Sequence, residues 1–319
     1  MRHRVASHLF AGHCAVALSL ALLAPACTTR DGRPGGGRGD GGASTPDSGG
    51  TLADASFVRP DTGPVPPVTD CTEQARWIYL VDNGNALLRF DPESGSLTPI
   101  GTIACPTSET PFSMAVDRQA NAYVLHQDHR IYQVSTVDAS CTATSFVPDQ
   151  MGLELFGMGF VSEAEGSAVE HLFVAGGAET GIGGGSATLG RIDMPGWSVA
   201  RIGAVGGSPE LTGTGTGELW GFFPDTTPMS VRQIDKATGA TLRTIDVSSV
   251  DASGLGIASA WAFAYWGGRF YVFYMGALDA SSGIYRVTPD TMAVEPVRTN
   301  TGYRIVGAGV STCAPTILI

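Results

Sequence analysis

Two imidazoles and a carboxylate stand together in His126-Gln127-Asp128-His129, a donor set that could ligate a transition metal. The same residues fit a solvated hairpin turn between two strands. The turn is preferred because no third ligand can be named, and neither metal nor other cofactor is expected. Gly183-Gly184-Gly185-Ser186, within the glycine-rich stretch 176–190, is composed like a phosphate loop. Phosphate and dinucleotide fingerprints need a strand before and a helix after, and the first also needs a Lys-Ser/Thr ending. None is present, so a long flexible hairpin loop is expected. The chain also lacks a Gly-x-Ser-x-Gly elbow and a His-Glu-x-x-His pair.

Glu154, Glu210 and Arg304 stand where strands begin that should converge on one axis, and three such charges at one mouth would form a rim for an anion or a sugar. Two carboxylates there could instead serve hydrolysis, although their surroundings are unmatched for acid and base roles and no catalytic residue is assigned. The candidate ligand-binding residues are therefore Glu154, Glu210, Arg304 and His126. Trp261, Phe263, Tyr265, Trp266, Phe270, Tyr271, Phe273 and Tyr274 could stack sugars, but alternation with Ala260, Ala262 and Ala264 suits packing between sheets, with Trp266 alone exposed in a turn.

The elements that must position these residues come from a repeat. Arg89-Phe90-Asp91, Gln133-Val134-Ser135, Arg191-Ile192-Asp193, Gln233-Ile234-Asp235 and Arg286-Val287-Thr288 share one pattern: long polar, apolar, then a short residue able to start an Asx or Ser/Thr turn. Their spacings of 44, 58, 42 and 53 residues match four-stranded propeller blades. Strand-like runs such as Trp77–Val81 and Phe270–Tyr274 recur, and no stretch shows a capped period of 3.6. Segments alternating small with larger residues precede four of these runs: Ser113-Met114-Ala115, Gly157-Met158-Gly159, Thr212–Gly215 and Ala260–Ala264, with Gly307-Ala308-Gly309 closing the series. Strands meeting at an axis need small side chains. An all-β, five-bladed β-propeller of four-stranded antiparallel blades is expected over residues 71–319.

The first blade starts at its second strand, so its inner strand must come from Arg304–Ser311 and close the ring. Such closure removes open sheet edges. Cys71 and Cys313 would staple it; Cys105 and Cys141 are then left to pair, although the strand register turns them toward opposite faces.

Residues 1–26 read as a signal peptide, with Arg2 and Arg4 before an apolar stretch too short to span a membrane. Ala24-Pro25-Ala26 is a small-x-small cleavage site, and Cys27 after it stands where a lipoprotein carries its lipid; simple secretion is the alternative. The rest of 27–70 is Gly/Pro/Ser-rich, a disordered tether of roughly 35 Å mean span. Arg38-Gly39-Asp40 within it is attributed to biased composition. Losing residues 1–26 removes two arginines and no acid, leaving 17 basic and 30 acidic residues, net −13. That excess argues against nucleic acid as a partner and limits membrane contact to a lipid anchor.

Ala115-Val116-Asp117-Arg118-Gln119-Ala120-Asn121-Ala122-Tyr123-Val124 resembles the strand-turn-strand of NHL-type and gluconolactonase-type propellers. The lactonases hold a divalent metal with acidic and amide side chains in the channel, and the other inner strands here offer no counterpart of that set. Over residues 71–316, Phe112–Asp117, Phe156–Phe160 and Gly307–Cys313 resemble an uncharacterised family of secreted bacterial lipoproteins with a β-propeller domain, which implies no particular activity. The expected function is an exported, lipid-anchored binding module at the cell envelope, periplasmic or at the outer membrane or cell surface. Its partner would be an unidentified glycan, peptide or protein; the alternative is a sugar- or lactone-acting hydrolase using the axial funnel.

Overall fold

The computed structural model describes residues 70–177 and 186–317. The expected signal peptide, Cys27, the expected tether up to residue 69 and the middle of the glycine-rich loop lie outside the described residues. Blade 1 contains β1 (Ile78–Asp82), β2 (Ala86–Asp91) and β3 (Ser96–Thr102), and blade 2 contains β4 (Pro111–Val116), β5 (Asn121–His126), β6 (Ile131–Ser135) and β7 (Cys141–Ala143). Blade 3 is β8 (Leu155–Ser162), β9 (Glu170–Gly177), β10 (Ser186–Asp193) and β11 (Ser198–Gly206). Blade 4 is β12 (Glu210–Gly213), β13 (Leu219–Phe223), β14 (Ser230–Ile234) and β15 (Thr241–Asp246). Blade 5 is β16 (Ala258–Trp266), β17 (Arg269–Gly276), β18 (Gly283–Thr288) and β19 (Ala293–Arg298), and β20 (Ile305–Val310) follows.

Each blade is a four-stranded antiparallel sheet, and blade 1 is completed by β20 pairing with β1, Ile78 opposite Val310 and Leu80 opposite Ala308. The protein is thus a five-bladed β-propeller whose ring is closed by its C-terminal strand. Turn chemistry at the repeated phrase explains the outer hairpins. Asp91 Oδ1 accepts from the Glu93 amide, Ser135 Oγ from the Val137 amide and Asp235 Oδ1 from the Ala237 amide. Each side chain satisfies amides that a tight turn would leave unpaired.

The core is divided into five apolar clusters, one between each pair of neighbouring blades. Phe90 of blade 1 meets Tyr271 and Phe273 of blade 5 edge-on at 5.6 and 5.7 Å, and Trp220 of blade 4 meets Phe270 at 4.7 Å. The aromatic run of blade 5 therefore works as packing. Trp266 departs from expectation: it is buried, and its indole N–H donates to the Arg76 carbonyl at 2.7 Å. The segment after β20 covers it, with the Gly267 amide bonded to the Pro315 carbonyl.

At the axis the small residues have a steric cause. A Cβ on Gly157 would fall on the Pro209 carbonyl and Glu210 Cα, and one on Gly213 on the Phe160 carbonyl and Val161 Cα. Inner strands of adjacent blades thus touch backbone to backbone, which only glycine permits.

Cys71 is bonded to Cys313, with Cα atoms 5.8 Å apart. Cys105 is bonded to Cys141, Cα atoms 4.9 Å apart, so the expectation that they face opposite sides does not hold. Cys105 lies three residues beyond the end of β3, where strand alternation no longer sets its direction, and both cysteines pack on the cluster between blades 1 and 2. Among the described residues no helix is long and apolar enough to cross a membrane.

Candidate functional site

Antiparallel order fixes which residues gather at each end of the axis. The inner strands β4, β8, β12, β16 and β20 begin at one end, here called upper, and finish at the lower end.

At the upper end Glu210 opens β12, where the close approach of Gly157 brings its backbone against blade 3. It is 2% exposed. Its Oε2 accepts from Ser113 Oγ of β4 at 2.9 Å, and that hydroxyl accepts from the Met158 amide of β8 at 3.2 Å. One carboxyl and one hydroxyl thus tie three successive inner strands and satisfy an amide on an inner sheet edge. Thr212 does the same for blades 4 and 5, its Oγ1 accepting from the Tyr265 amide. Burial raises the Glu210 carboxyl well above the usual carboxylate range, against the opposing effect of the Ser113 hydroxyl and Met158 amide.

Arg304 stands just before β20, exposed, with Nη2 donating to the Ser259 carbonyl at 2.7 Å. It forms no ion pair among the described residues. Glu210 and Arg304 line one depression of about 220 Å³ together with Trp261, Phe112, Gln127 and Asn83. Trp261 and Phe112 are half-buried there. Of the four residues proposed from sequence, these two are brought together.

Glu154 does not line that depression. It is half-buried one residue before β8, its amide bonded to the Gly177 carbonyl, which extends the β8–β9 ladder outward. His126 belongs to the end of β5 rather than to a solvated turn, and is 1% exposed. Its Nδ1 donates to the Glu109 carbonyl at 2.9 Å, leaving Nε2 as a buried acceptor without a protein partner among the described residues. Burial lowers its basicity, so the ring is neutral. The solvated part of the motif is His129, paired with Asp149 at 2.8 Å. Among the described residues no three His, Cys, Asp or Glu side chains form a group fit for a metal.

The lower end holds a cluster that sequence reasoning missed. Arg118, 2% exposed, forks onto Asp70 through Nε (3.1 Å) and Nη2 (2.9 Å) and donates through Nη1 to the Ser167 carbonyl and Thr312 Oγ1. Thr312 donates in turn to Glu170 Oε2 at 2.8 Å, and the Arg118 amide donates to Glu170 Oε1 at 2.9 Å. This network joins the start of the described chain, blades 2 and 3 and the segment after β20, beside the Cys71–Cys313 bond. Burial pushes the Glu170 carboxyl up to about 7 against the hydrogen bonds from Thr312 and the Arg118 amide; the Asp117 charge adds to the rise, and the Arg118 guanidinium opposes it. Asp117 is a turn anchor, accepting from the Gln119 and Asn121 amides. The sequence signal was Asp117-Arg118, an Asx turn with an arginine inside it.

No protein-family model matches the chain, and no curated protein matches it. Similar solved structures include TolB from Acinetobacter baumannii, with a TM-score of 0.42 and 10% identity over 70% of this chain and 52% of that one. A protein of unknown function from Bacteroides caccae aligns with a TM-score of 0.41 and 10% identity over 72% of this chain and 84% of that one. The chain thus spans about half the length of the TolB chain.

Proposed function

We propose that this protein is an exported, lipid-anchored propeller that binds a ligand of the cell envelope at the upper end of its axis. The observation that carries the reading is the contrast between the two ends. At the lower end the buried guanidinium of Arg118 is matched by Asp70, Ser167 and Thr312, as a structural clasp requires. At the upper end Arg304 has no acidic partner among the described residues, and it borders a depression with Trp261, two amide side chains and a buried carboxyl. Concave sites with an aromatic wall and a few convergent polar groups are what ligand sites use.

Export is supported by the targeting pattern of residues 1–26 and by two disulfides, which persist in oxidising compartments. Anchoring rests on Cys27 after Ala24-Pro25-Ala26. Asp70, the first described residue, is clasped at the lower end of the axis, opposite the end that holds the depression. Hydrolysis by a carboxyl pair draws no support, because Glu210 is the only carboxyl among the residues lining the depression. The kinship of residues 115–124 with NHL-type blades, and of the domain with secreted bacterial lipoproteins, belongs to this same reading.

Two measurements test it. Mass spectrometry of the native N-terminus should find a lipid-modified Cys27; an unmodified Cys27 or a later start ends the anchoring claim. Binding to an array of envelope glycans and peptides should be lost in Trp261→Ala and kept in Glu154→Gln. Retention of every ligand by Trp261→Ala would move the site elsewhere.

A further inference from the structure

Blade 5 presents exposed apolar side chains beside the upper depression. Leu255 and Ile257, in the loop before β16, are 54% and 52% exposed, and Leu278, in the turn between β17 and β18, is 75% exposed. The Ala277 amide bonds the Ile257 carbonyl at 3.0 Å, which sets the two loops side by side. Neither loop is held by these apolar groups. Asp251 anchors the first, accepting from the Ser253 and Gly256 amides, and Asp279 anchors the second, accepting from the Gly276 amide. Three large apolar groups kept in water on well-anchored loops mark a contact surface.

The surface adjoins the cation of the depression. Arg304 grips the carbonyl of Ser259, two residues from Ile257, a distance of about 7 Å along an extended chain. Asp251 and Asp279 spend carboxylate oxygens on backbone amides, and among the described residues Arg304 and the buried Glu210 are the only ionisable side chains lining the depression. Among the described residues the remaining guanidinium donors have no protein acceptor. Apolar contacts on one side and, on the other, an arginine with no acidic partner among the described residues describe a chain molecule that is greasy along its length and carries a carboxylate.

Building on the reading that the upper depression is the binding site, we propose that blade 5 docks a short extended peptide whose apolar side chains lie on Leu255, Ile257 and Leu278 and whose carboxylate meets Arg304. A free C-terminus and an internal Asp or Glu offer the same chemistry. The apolar loops favour the peptide over a sugar, whose hydroxyls they would leave unpaired.

The test uses the full-length protein and three pools of short apolar peptides: one with a free C-terminus, one amidated, and one amidated with a fixed internal Asp. Enrichment and anisotropy titrations should show binding of the first pool, the third or both, with the amidated neutral pool at least tenfold weaker. Enrichment of the first alone identifies a C-terminus as the source, and enrichment of the third shows that an internal carboxylate suffices. Arg304→Gln should abolish the difference between pools, and Ile257→Ser/Leu278→Ser should weaken all pools about tenfold at unchanged melting temperature. If the neutral pool binds as well as the others and Arg304→Gln changes nothing, the carboxylate assignment is overturned. Sensitivity to Trp261→Ala would then still leave the depression as a site, whereas indifference to that variant too would remove the site itself. Failure of all pools to bind, beside a glycan that does and is lost in Trp261→Ala, overturns the peptide and keeps the depression.

Discussion

Removing one disulfide at a time should destabilise the propeller in an order set by chain length. Cys71 and Cys313 are 242 residues apart in sequence, and Cys105 and Cys141 are 36 apart. If a cross-link acts by restricting the unfolded chain, the chain-entropy relation gives about 5.5 kcal/mol for the longer loop and about 3.8 for the shorter, a difference of about 1.7 kcal/mol. Both values are ceilings, since the unfolded chain is more compact than a random coil. The folded state adds little to the difference: the ends stay joined by the β1–β20 register and the Arg118 network, and blades 1 and 2 stay packed around Ile103 and Ala139. Urea unfolding of Cys71→Ser/Cys313→Ser and of Cys105→Ser/Cys141→Ser, each against the parent, measures the two losses directly. The first pair should lose more stability, and the slope against denaturant should rise as the unfolded chain expands. Equal losses, or a larger loss for the shorter loop, would refute the entropic account and point to native contacts made by Cys105 and Cys141. Peptide mapping that joined Cys71 to Cys105 would refute the ring closure as well.

Gly213→Ala should cost about 3 kcal/mol, because the new methyl meets the Phe160 and Val161 backbone, whereas Gly177→Ala, with open space around it, should stay within about 0.5 kcal/mol in the same thermal melts. Glu210→Ala should destabilise by about 2 kcal/mol by leaving the Ser113 hydroxyl without its acceptor in the axis; Glu210→Gln keeps an acceptor and should cost less than half of that, and equal costs would show that the bond is idle. Glu170 has a folded pKa of about 7, above its unfolded value, so its share of stability is full below about pH 4.5 and lost as pH rises to 7. Allowing for its half-buried side chain, the loss is about 1 to 3 kcal/mol, and Glu170→Gln should flatten the stability profile across that window; an unchanged slope would reject the assignment.

The strand pattern, the blade number and the closure by the last strand were legible in the chain because they are written locally. The turn-forming third position of Arg89-Phe90-Asp91 and its cognates binds amides two residues on, and glycines such as Gly157 and Gly213 are demanded by strands that touch at the axis. Periodicity tells which face of a strand a residue takes. How deep it lies along the axis, and what waits there, is decided by segments far away in sequence. Glu210 became a buried tie between inner strands because Ser113, 97 positions earlier, meets it on the axis, and Arg118 became a clasp because Thr312, 194 positions later, returns beside it. His126 and Trp266 were read as turn residues and are buried, since the covering segments around Glu109 and Pro315 arrive from elsewhere. The local sequence pattern therefore determined the propeller, and tertiary approach alone decided which of its charges are matched and which, like Arg304, have no acidic partner among the described residues. A charge's partner is set by distance in space, which no local pattern records.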